Sequence, residues 1–175
     1  MPPPTPNNAL PRDIETVVVG GGILGLCVAG FLAEEDREVA IIDSGVDYIH
    51  EDLRDNIWQN SAEANGVAGV DDDANGYIDD IRGWDFTHAP ELPGFGDYLN
   101  RDNDPQDESA HGTHVAGIIA ATTNNNRGIA GIAPNAQLMV LRAGMTLLQG
   151  GGFPEEDDIA AAILYAVENG AHIIN

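Results

Sequence analysis

Residues 39–53 read VAIIDSGVDYIHEDL, and this stretch decides the fold that we expect for the chain. The segment Glu38–Ile42 is apolar after its first residue and contains no turn former, which is typical of a strand buried in a parallel sheet. Asp43 follows directly, at the carboxyl end of the strand, where α/β proteins place their chemistry. Taken alone, a strand-ending aspartate is more often a cap or turn former, so both interpretations stay open at this point.

Strands and helices alternate along the rest of the chain. The sequence predicts strands within 81–86, 137–141 and 171–175, a helix over 111–121, and a loop at 150–154. After that loop, Asp157 or Asp158 can cap a second helix, whose apolar residues keep helical spacing and which Gly170 would end. This alternation predicts an α/β fold with a parallel sheet and helices on both faces.

The chain is strongly acidic. It has 29 Asp and Glu against seven basic residues, all of them Arg, and its formal net charge is −22. Nucleic acids and anionic membranes require a cationic face, so both are excluded as expected partners. The single cysteine, Cys27, allows no internal disulfide. Bound cations would relieve this charge, and Ca²⁺ with its oxygen ligands is the first candidate.

A glycine-rich fingerprint precedes the deciding strand. Gly20, Gly22 and Gly25 follow a β-branched run and open an apolar segment of helical length. Glycines in this context let a pyrophosphate approach a helix N-terminus. Residues 17–42 resemble the amino-terminal unit of FAD-dependent oxidoreductases of the amino-acid oxidase type. No later segment resembles the remainder of a flavin fold, so a βα packing unit is favoured over a working FAD site.

An acidic run between 71 and 82 has the spacing of a calcium loop. Side-chain oxygens at Asp71, Asp73, Asn75 and Asp79, with the backbone carbonyl of Tyr77, match the first part of such a loop. The twelfth position holds Arg82 in place of a bidentate glutamate, so the run is not a complete EF-hand. The sequence therefore predicts a Ca²⁺ site, with a solvated acidic turn as the alternative.

The motif HGTHVAG at 111–117 resolves the ambiguity at Asp43. Together with IIDSGVDYIHEDL before it and two later segments, GIAPNAQLMVLRAG and DIAAAILYAVENGAHIIN, it resembles the subtilisin-like serine proteases, the subtilases, from about Val39 to Asn175. The resemblance implies that His111 is the general base and that Asp43 orients it. It gives no catalytic role to His114, which we expect to be packed and hydrogen-bonded in its helix.

The sequence departs from the family at the nucleophile. The only serines, Ser44, Ser61 and Ser109, precede His111, whereas the family places its catalytic serine after the histidine. The serine motif and the oxyanion asparagine are absent from the printed sequence. We therefore expect a chain that is inactive alone and that would act on proteins or peptides only with a serine-bearing carboxyl-terminal half.

The resemblance also implies a second calcium loop. The segment after the His111 helix is similar to the loop that in many subtilases wraps Ca²⁺ together with the aspartate of the H-x-D-L segment. The corresponding residues here are Asp52, Thr123, Asn125, Arg127 and Ile129. An asparagine-rich turn without metal is the alternative.

Three parts of the chain follow from these patterns. They are a Pro-rich lead (1–13), a Rossmann-like βα unit (14–38), and a truncated subtilase catalytic domain with its Asp and His portions only (39–175). Two other functions remain open: an FAD-dependent oxidoreductase fragment, and a calcium-stabilised module without catalysis.

Overall fold

The computed structural model describes residues 38–148 and 151–175. In chain order, these residues form β1 (Glu38–Asp43), a 3₁₀ helix (Arg54–Asn56), α1 (Ser61–Ala64), β2 (Gly83–Asp85), β3 (Gly94–Phe95), α2 (His111–Ala120), β4 (Gln137–Arg142), β5 (Gly144–Leu147), β6 (Gly152–Pro154), α3 (Glu156–Glu168) and β7 (Ile173–Ile174).

The main sheet is parallel throughout its described strands, which lie in the order β2-β4-β1-β7. The longest pairing joins β1 to β4 and runs from Glu38 opposite Gln137 to Asp43 opposite Arg142. All four carboxyl ends therefore meet at one edge, and Asp43 lies there. The prediction of an α/β fold with a parallel sheet is confirmed.

One helix covers each face of this sheet. Val39 and Ile41 of β1 are buried in a cluster with α2, whereas Ala40 is buried in the cluster that contains α3. Successive strand residues point to opposite faces, so an unbroken apolar run is what a two-sided sheet requires. Within the described part of the chain, no helix has the length and hydropathy to cross a membrane.

A second, antiparallel sheet was missed by the sequence analysis. It has the order β3-β5-β6, and β6 occupies part of 150–154, which was predicted to be a loop. That prediction was wrong because β6 folds back on β5, pairing Gly144 with Pro154 and Thr146 with Gly152. Strands this short carry no alternation of polar and apolar residues that would distinguish them from loops.

The start of α3 also differs from the prediction. The helix begins at Glu156 with Glu155 as its N-cap, so neither Asp157 nor Asp158 caps it. Asp158 is fully buried and accepts hydrogen bonds from Arg101 Nη2 (2.6 Å) and the His88 backbone N–H (3.1 Å). The Asp158 carboxylate therefore binds Arg101 and the His88 backbone, and does not cap the helix as the local sequence pattern predicted.

The end of α3 follows the prediction. Gly170 has φ +82°, and the backbone N–H of Ala171 donates to the carbonyl of Ala166 at 2.9 Å. This is the six-to-one bond of a Schellman motif, which needs a left-handed residue and so favours glycine. The chain then turns into β7, within the predicted strand 171–175.

Candidate active site

Asp43 and His111 come together at the carboxyl edge of the main sheet. Asp43 ends β1 and His111 begins α2, and His111 Nδ1 lies 2.7 Å from Asp43 Oδ1. The backbone N–H of Ser44 donates to the same oxygen at 2.7 Å. The His111 side chain is 67% exposed and that of Asp43 only 16%. The carboxylate thus holds one side of an imidazole whose remainder faces solvent.

The electrostatics of the pair favour a charged imidazole. The hydrogen bond that His111 Nδ1 donates to Asp43 raises the pKa of His111 above its usual value, and the negative charge of Asp43 acts in the same direction. Partial desolvation of the ring opposes this rise, and the nearby charge of Asp107 adds to it. This is the arrangement by which a carboxylate stabilises an imidazolium that forms during proton transfer.

Close backbone packing makes the contact between Asp43 and His111 possible. A Cβ at Gly112 would lie 2.0 Å from the carbonyl oxygen of Gly45 and 3.1 Å from Cβ of Asp43. Only a residue without a side chain lets the first turn of α2 approach the loop after β1 so closely. Packing against the loop after β1 therefore requires glycine at Gly112, the second residue of the HGTH motif.

His114 does not have the environment that we expected. Its side chain is exposed, one turn after His111, and it lines a groove of about 280 Å³ together with residues such as Leu53, Gly117 and Ile129. The prediction of a packed histidine was wrong because α2 turns this face away from the sheet. His114 takes no part in the pair formed by Asp43 and His111.

Two of the three serines, Ser44 and Ser109, bind the backbone and a carboxylate near His111, whereas Ser61 begins α1. Ser109 Oγ accepts from the His111 backbone N–H at 3.3 Å, and Ser44 Oγ donates to Asp107 Oδ1 at 2.9 Å. Both hydroxyls serve the start of α2, so among residues 38–148 and 151–175 neither occupies a nucleophile position next to the imidazole.

The acidic loop brings together three of its predicted metal ligands. Asp71 accepts from the backbone N–H groups of Asn75 (3.1 Å) and Gly76 (2.9 Å), and Asp73 also accepts from Asn75 (3.1 Å). Oxygens of Asp71 and Asp73 lie within 4.8 Å of one another and of an oxygen of Glu63. The carboxylates converge as the DxDxN spacing predicts.

The sequence analysis missed Glu63, which lies on α1 outside the motif. Its side chain is buried, and it accepts from the backbone N–H groups of Asp72 (2.6 Å) and Asp79 (2.9 Å). A lone glutamate eight residues before an acidic run looks like any surface acid. The one feature of the sequence that could have suggested Glu63 as a ligand was its position in the short segment just before the acidic loop.

Two other residues of the predicted set have additional partners. Asp79 Oδ2 accepts from the backbone N–H of Gly69 at 2.7 Å. The Tyr77 ring packs edge-on against Trp84, Phe86 and Tyr165, with centroids 4.9–5.8 Å apart. The Tyr77 ring therefore anchors the acidic loop to the part of the core that packs against α3.

The second predicted calcium loop is closed by hydrogen bonds. Asn125 Nδ2 donates to Oδ1 of the buried Asp52 at 2.5 Å, and the Arg127 backbone N–H donates to Asn125 Oδ1 at 3.0 Å. The Arg127 side chain pairs with Glu51. Ile129 is exposed and Thr123 is half-buried. Asp52 and Asn125 thus meet as predicted, through an amide N–H.

Sequence comparison identifies relatives over the same part of the chain. The sequence model of the subtilase family matches residues 35–175. Subtilisin-like protease 1 of Plasmodium vivax is 39% identical over 138 residues, 79% of this chain and 19% of the relative. The thermophilic serine proteinase of Bacillus sp. (strain AK1) is 39% identical over 139 residues, 79% of this chain and 25% of the relative.

A solved structure, sphericase, aligns with a TM-score of 0.49 and 30% identity, over 81% of this chain and 36% of that chain. The chain spans less than two thirds of the length of each of these relatives. The fingerprint at Gly20, Gly22 and Gly25 lies before the family match and outside the described residues. Because that match extends over residues 35–175, the chain belongs to the subtilase family.

Proposed function

We propose that this chain supplies the aspartate and histidine of a serine endopeptidase that cleaves peptide bonds in proteins or peptides. The observation that carries the proposal is the 2.7 Å contact between His111 Nδ1 and Asp43 Oδ1 at the carboxyl edge of the sheet. Family membership adds the reaction type, since the relatives named above are proteases or proteinases.

His111 would act as the general base in this reaction. With Nδ1 held by Asp43, its Nε2 is free to take the proton of a serine hydroxyl as that oxygen attacks the substrate carbonyl. The same nitrogen would then give the proton to the leaving amine. Asp43 would fix the tautomer and stabilise the imidazolium during both transfers. No serine follows His111 in this sequence, so in this proposal a separate serine-bearing segment supplies the nucleophile and the oxyanion donors.

Complementation tests this proposal. The 175-residue polypeptide alone is expected to show no casein hydrolysis, because no hydroxyl is placed for His111 to activate. Proteolysis is expected when the serine-bearing carboxyl-terminal segment of a related subtilase is supplied in trans, and it should disappear in His111→Ala. His114→Ala is the matched control on the same helix. Hydrolysis by the chain alone that survives His111→Ala would contradict the assignment.

We also propose that the acidic loop binds Ca²⁺ through Asp71, Asp73 and Asn75, with Glu63 as an additional ligand. Glu63, Asp71 and Asp73 place carboxylate oxygens within 4.8 Å of one another, and Glu63 is 4% exposed. Carboxylates this close repel one another unless a cation lies between them, and hard oxygen donors are what Ca²⁺ prefers. The carbonyl of Tyr77 and the carboxylate of Asp79 would complete the set.

Thermal unfolding tests the calcium proposal. A ligand that binds only the folded state stabilises it by about 2.7 kcal/mol at 100 times its Kd. At about 2–4 °C per kcal/mol for a chain of this size, Ca²⁺ should raise Tm by several degrees over chelator. Glu63→Gln should lose most of that rise, whereas Glu168→Gln, an exposed glutamate on α3, should keep it. Equal Tm values of the unmodified chain in Ca²⁺ and in chelator would contradict the site.

We do not extend this proposal to the Asp52 loop, whose likeness to a calcium loop rests on the family resemblance; in the structure, Asp52 Oδ1 accepts a hydrogen bond from Asn125 Nδ2. Among residues 38–148 and 151–175, no contact favours FAD binding over proteolysis.

A further inference from the structure

The first turn of α2 is capped by side chains from outside the helix. Its N-cap residue, Ala110, has φ +68° and provides no side-chain cap. The first three helical N–H groups have no partner within a helix and need acceptors elsewhere. Those of His111, Gly112 and Thr113 donate to Ser109 Oγ (3.3 Å), Ser44 Oγ (3.1 Å) and Asp107 Oδ2 (2.9 Å).

Asp107 is the centre of this arrangement. Its Oδ1 accepts from the backbone N–H groups of Ser109 (2.8 Å) and Ala110 (3.0 Å) and from the hydroxyl of Ser44 (2.9 Å). Its Oδ2 accepts from the backbone N–H and the hydroxyl of Thr113, the latter at 2.5 Å. Both oxygens are therefore used only as acceptors, as an ionised carboxylate allows.

The same carboxylate joins the helix to the loop after β1. Ser44, which donates to Asp107, is the residue next to Asp43 in the chain. On the other side, Thr113 Oγ1 accepts from the backbone N–H of Asp47 at 2.9 Å. Asp107 thus reaches the loop that follows Asp43 by two routes, one through Ser44 and one through Thr113.

We propose that Asp107 is a positioning residue for the His111–Asp43 pair: it locks the first turn of α2 to the loop after β1, so that the imidazole stays within hydrogen-bonding reach of Asp43. This inference rests on the proposed protease function, in which that pair does the proton transfer. Asp107 itself does not contact the imidazole. It acts through Ser44, Thr113 and the helix backbone.

The charge state of Asp107 agrees with this role. Burial alone would raise its pKa, but the hydrogen bonds from Thr113, Ser109 and Ser44 outweigh burial and lower it. The carboxylate therefore stays ionised through neutral pH and keeps both oxygens available as acceptors. Within the described part of the chain, Asp43 from β1 and Asp107 are the charged groups that act on His111, and both raise its pKa.

The test is the titration of the His111 ring in the 175-residue chain, followed by NMR. Asp107→Asn places an amide NH₂ where a carboxylate oxygen now accepts, so it removes two or three of the contacts. We expect a lower titration midpoint for His111 and loss of the Nδ1 proton signal of the hydrogen bond to Asp43. Asp104→Asn is the control, because it removes one charge from the same loop at an exposed position that contacts Tyr48 instead of α2.

A neutral variant separates positioning from charge. Thr113→Val keeps the side-chain shape but loses the hydroxyl, so it should lower the titration midpoint of His111 without any change in charge. Thr113→Ser, which keeps the hydroxyl, should have the same midpoint as the unmodified chain. This pair also decides the question if Asp107→Asn does not fold. A residue that only stabilised the helix would lower Tm and leave the His111 titration as it was.

The outcomes for the two proposals are distinct. If Asp43→Asn lowers the His111 midpoint while Asp107→Asn and Thr113→Val leave it unchanged, the positioning role is refuted and the protease proposal stands. If Asp43→Asn itself leaves the midpoint unchanged, the Asp43–His111 pair is not formed in solution, and both proposals fail.

Discussion

Two glycines of α2 have opposite requirements although they lie on the same helix. A Cβ at Gly112 would lie 2.0 Å from the Gly45 carbonyl oxygen, whereas a Cβ at Gly117 would have no heavy atom within 4 Å. Gly112→Ala should therefore push the helix start away from β1 and lower both Tm and the His111 titration midpoint. Gly117→Ala should raise stability by about 0.5–1 kcal/mol, because alanine loses less backbone entropy in a helix.

Thermal unfolding and the His111 titration of the two variants check this pair. An unchanged Tm in Gly112→Ala would mean that the loop at Gly45 moves without cost, and the close approach would then not be what holds the helix start.

Motif and spacing predicted some site residues and could not predict others. Asp43 and His111 were found because each stands in a specific motif and the two motifs occur in family order. Glu63 and Asp107 were not found, because their roles depend on which backbone N–H groups surround them after folding. A carboxylate in an acidic chain carries no local sign of such partners.

At the scale of elements, prediction succeeded where a strand is buried on both faces. β1 and β4 are apolar runs, and their register carries Asp43 to the edge where His111 meets it. The small sheet was not predicted, because β3, β5 and β6 contain two to four residues each and depend on pairing that only the folded chain supplies. Its β5 follows β4 after one residue, Ala143, so the unpredicted sheet adjoins the carboxyl edge.

A buried arginine on the main sheet, Arg142, contacts the segment that precedes α2. Arg142 ends β4 and its side chain is 3% exposed; its Nη1 lies 3.1 Å from Asp85 Oδ2 of β2, and its Nη2 lies 2.9 Å from Glu108 Oε2. Glu108 stands between Asp107 and Ser109, and it also accepts from the backbone N–H of Asp97 after β3 at 2.9 Å. The segment that positions His111 is thus held from the sheet as well as from the loop after β1.

The whole molecule carries a net charge of −22 on 175 residues, with no lysine to offset it. Self-repulsion is stronger in the compact state than in the unfolded chain, where the charges are farther apart, so this charge opposes folding. Salt shortens the distance over which charges act, from about 30 Å at 0.01 M to about 8 Å at 0.15 M. We therefore expect Tm to rise between these two concentrations of NaCl, measured in chelator.

Two comparisons separate charge screening from calcium binding: the identity of the added cation, and the response of the Glu63→Gln variant. Screening should follow ionic strength, so choline chloride should raise Tm as NaCl does, and Glu63→Gln should keep that rise. The response to Ca²⁺ should instead saturate at low concentration and be lost in the same variant. A Tm that is flat or falls from 0.01 M to 0.15 M salt would contradict this expectation. It would show that the repulsion between acidic side chains is already offset in the folded state by local charge pairing, which the net charge of −22 does not reveal.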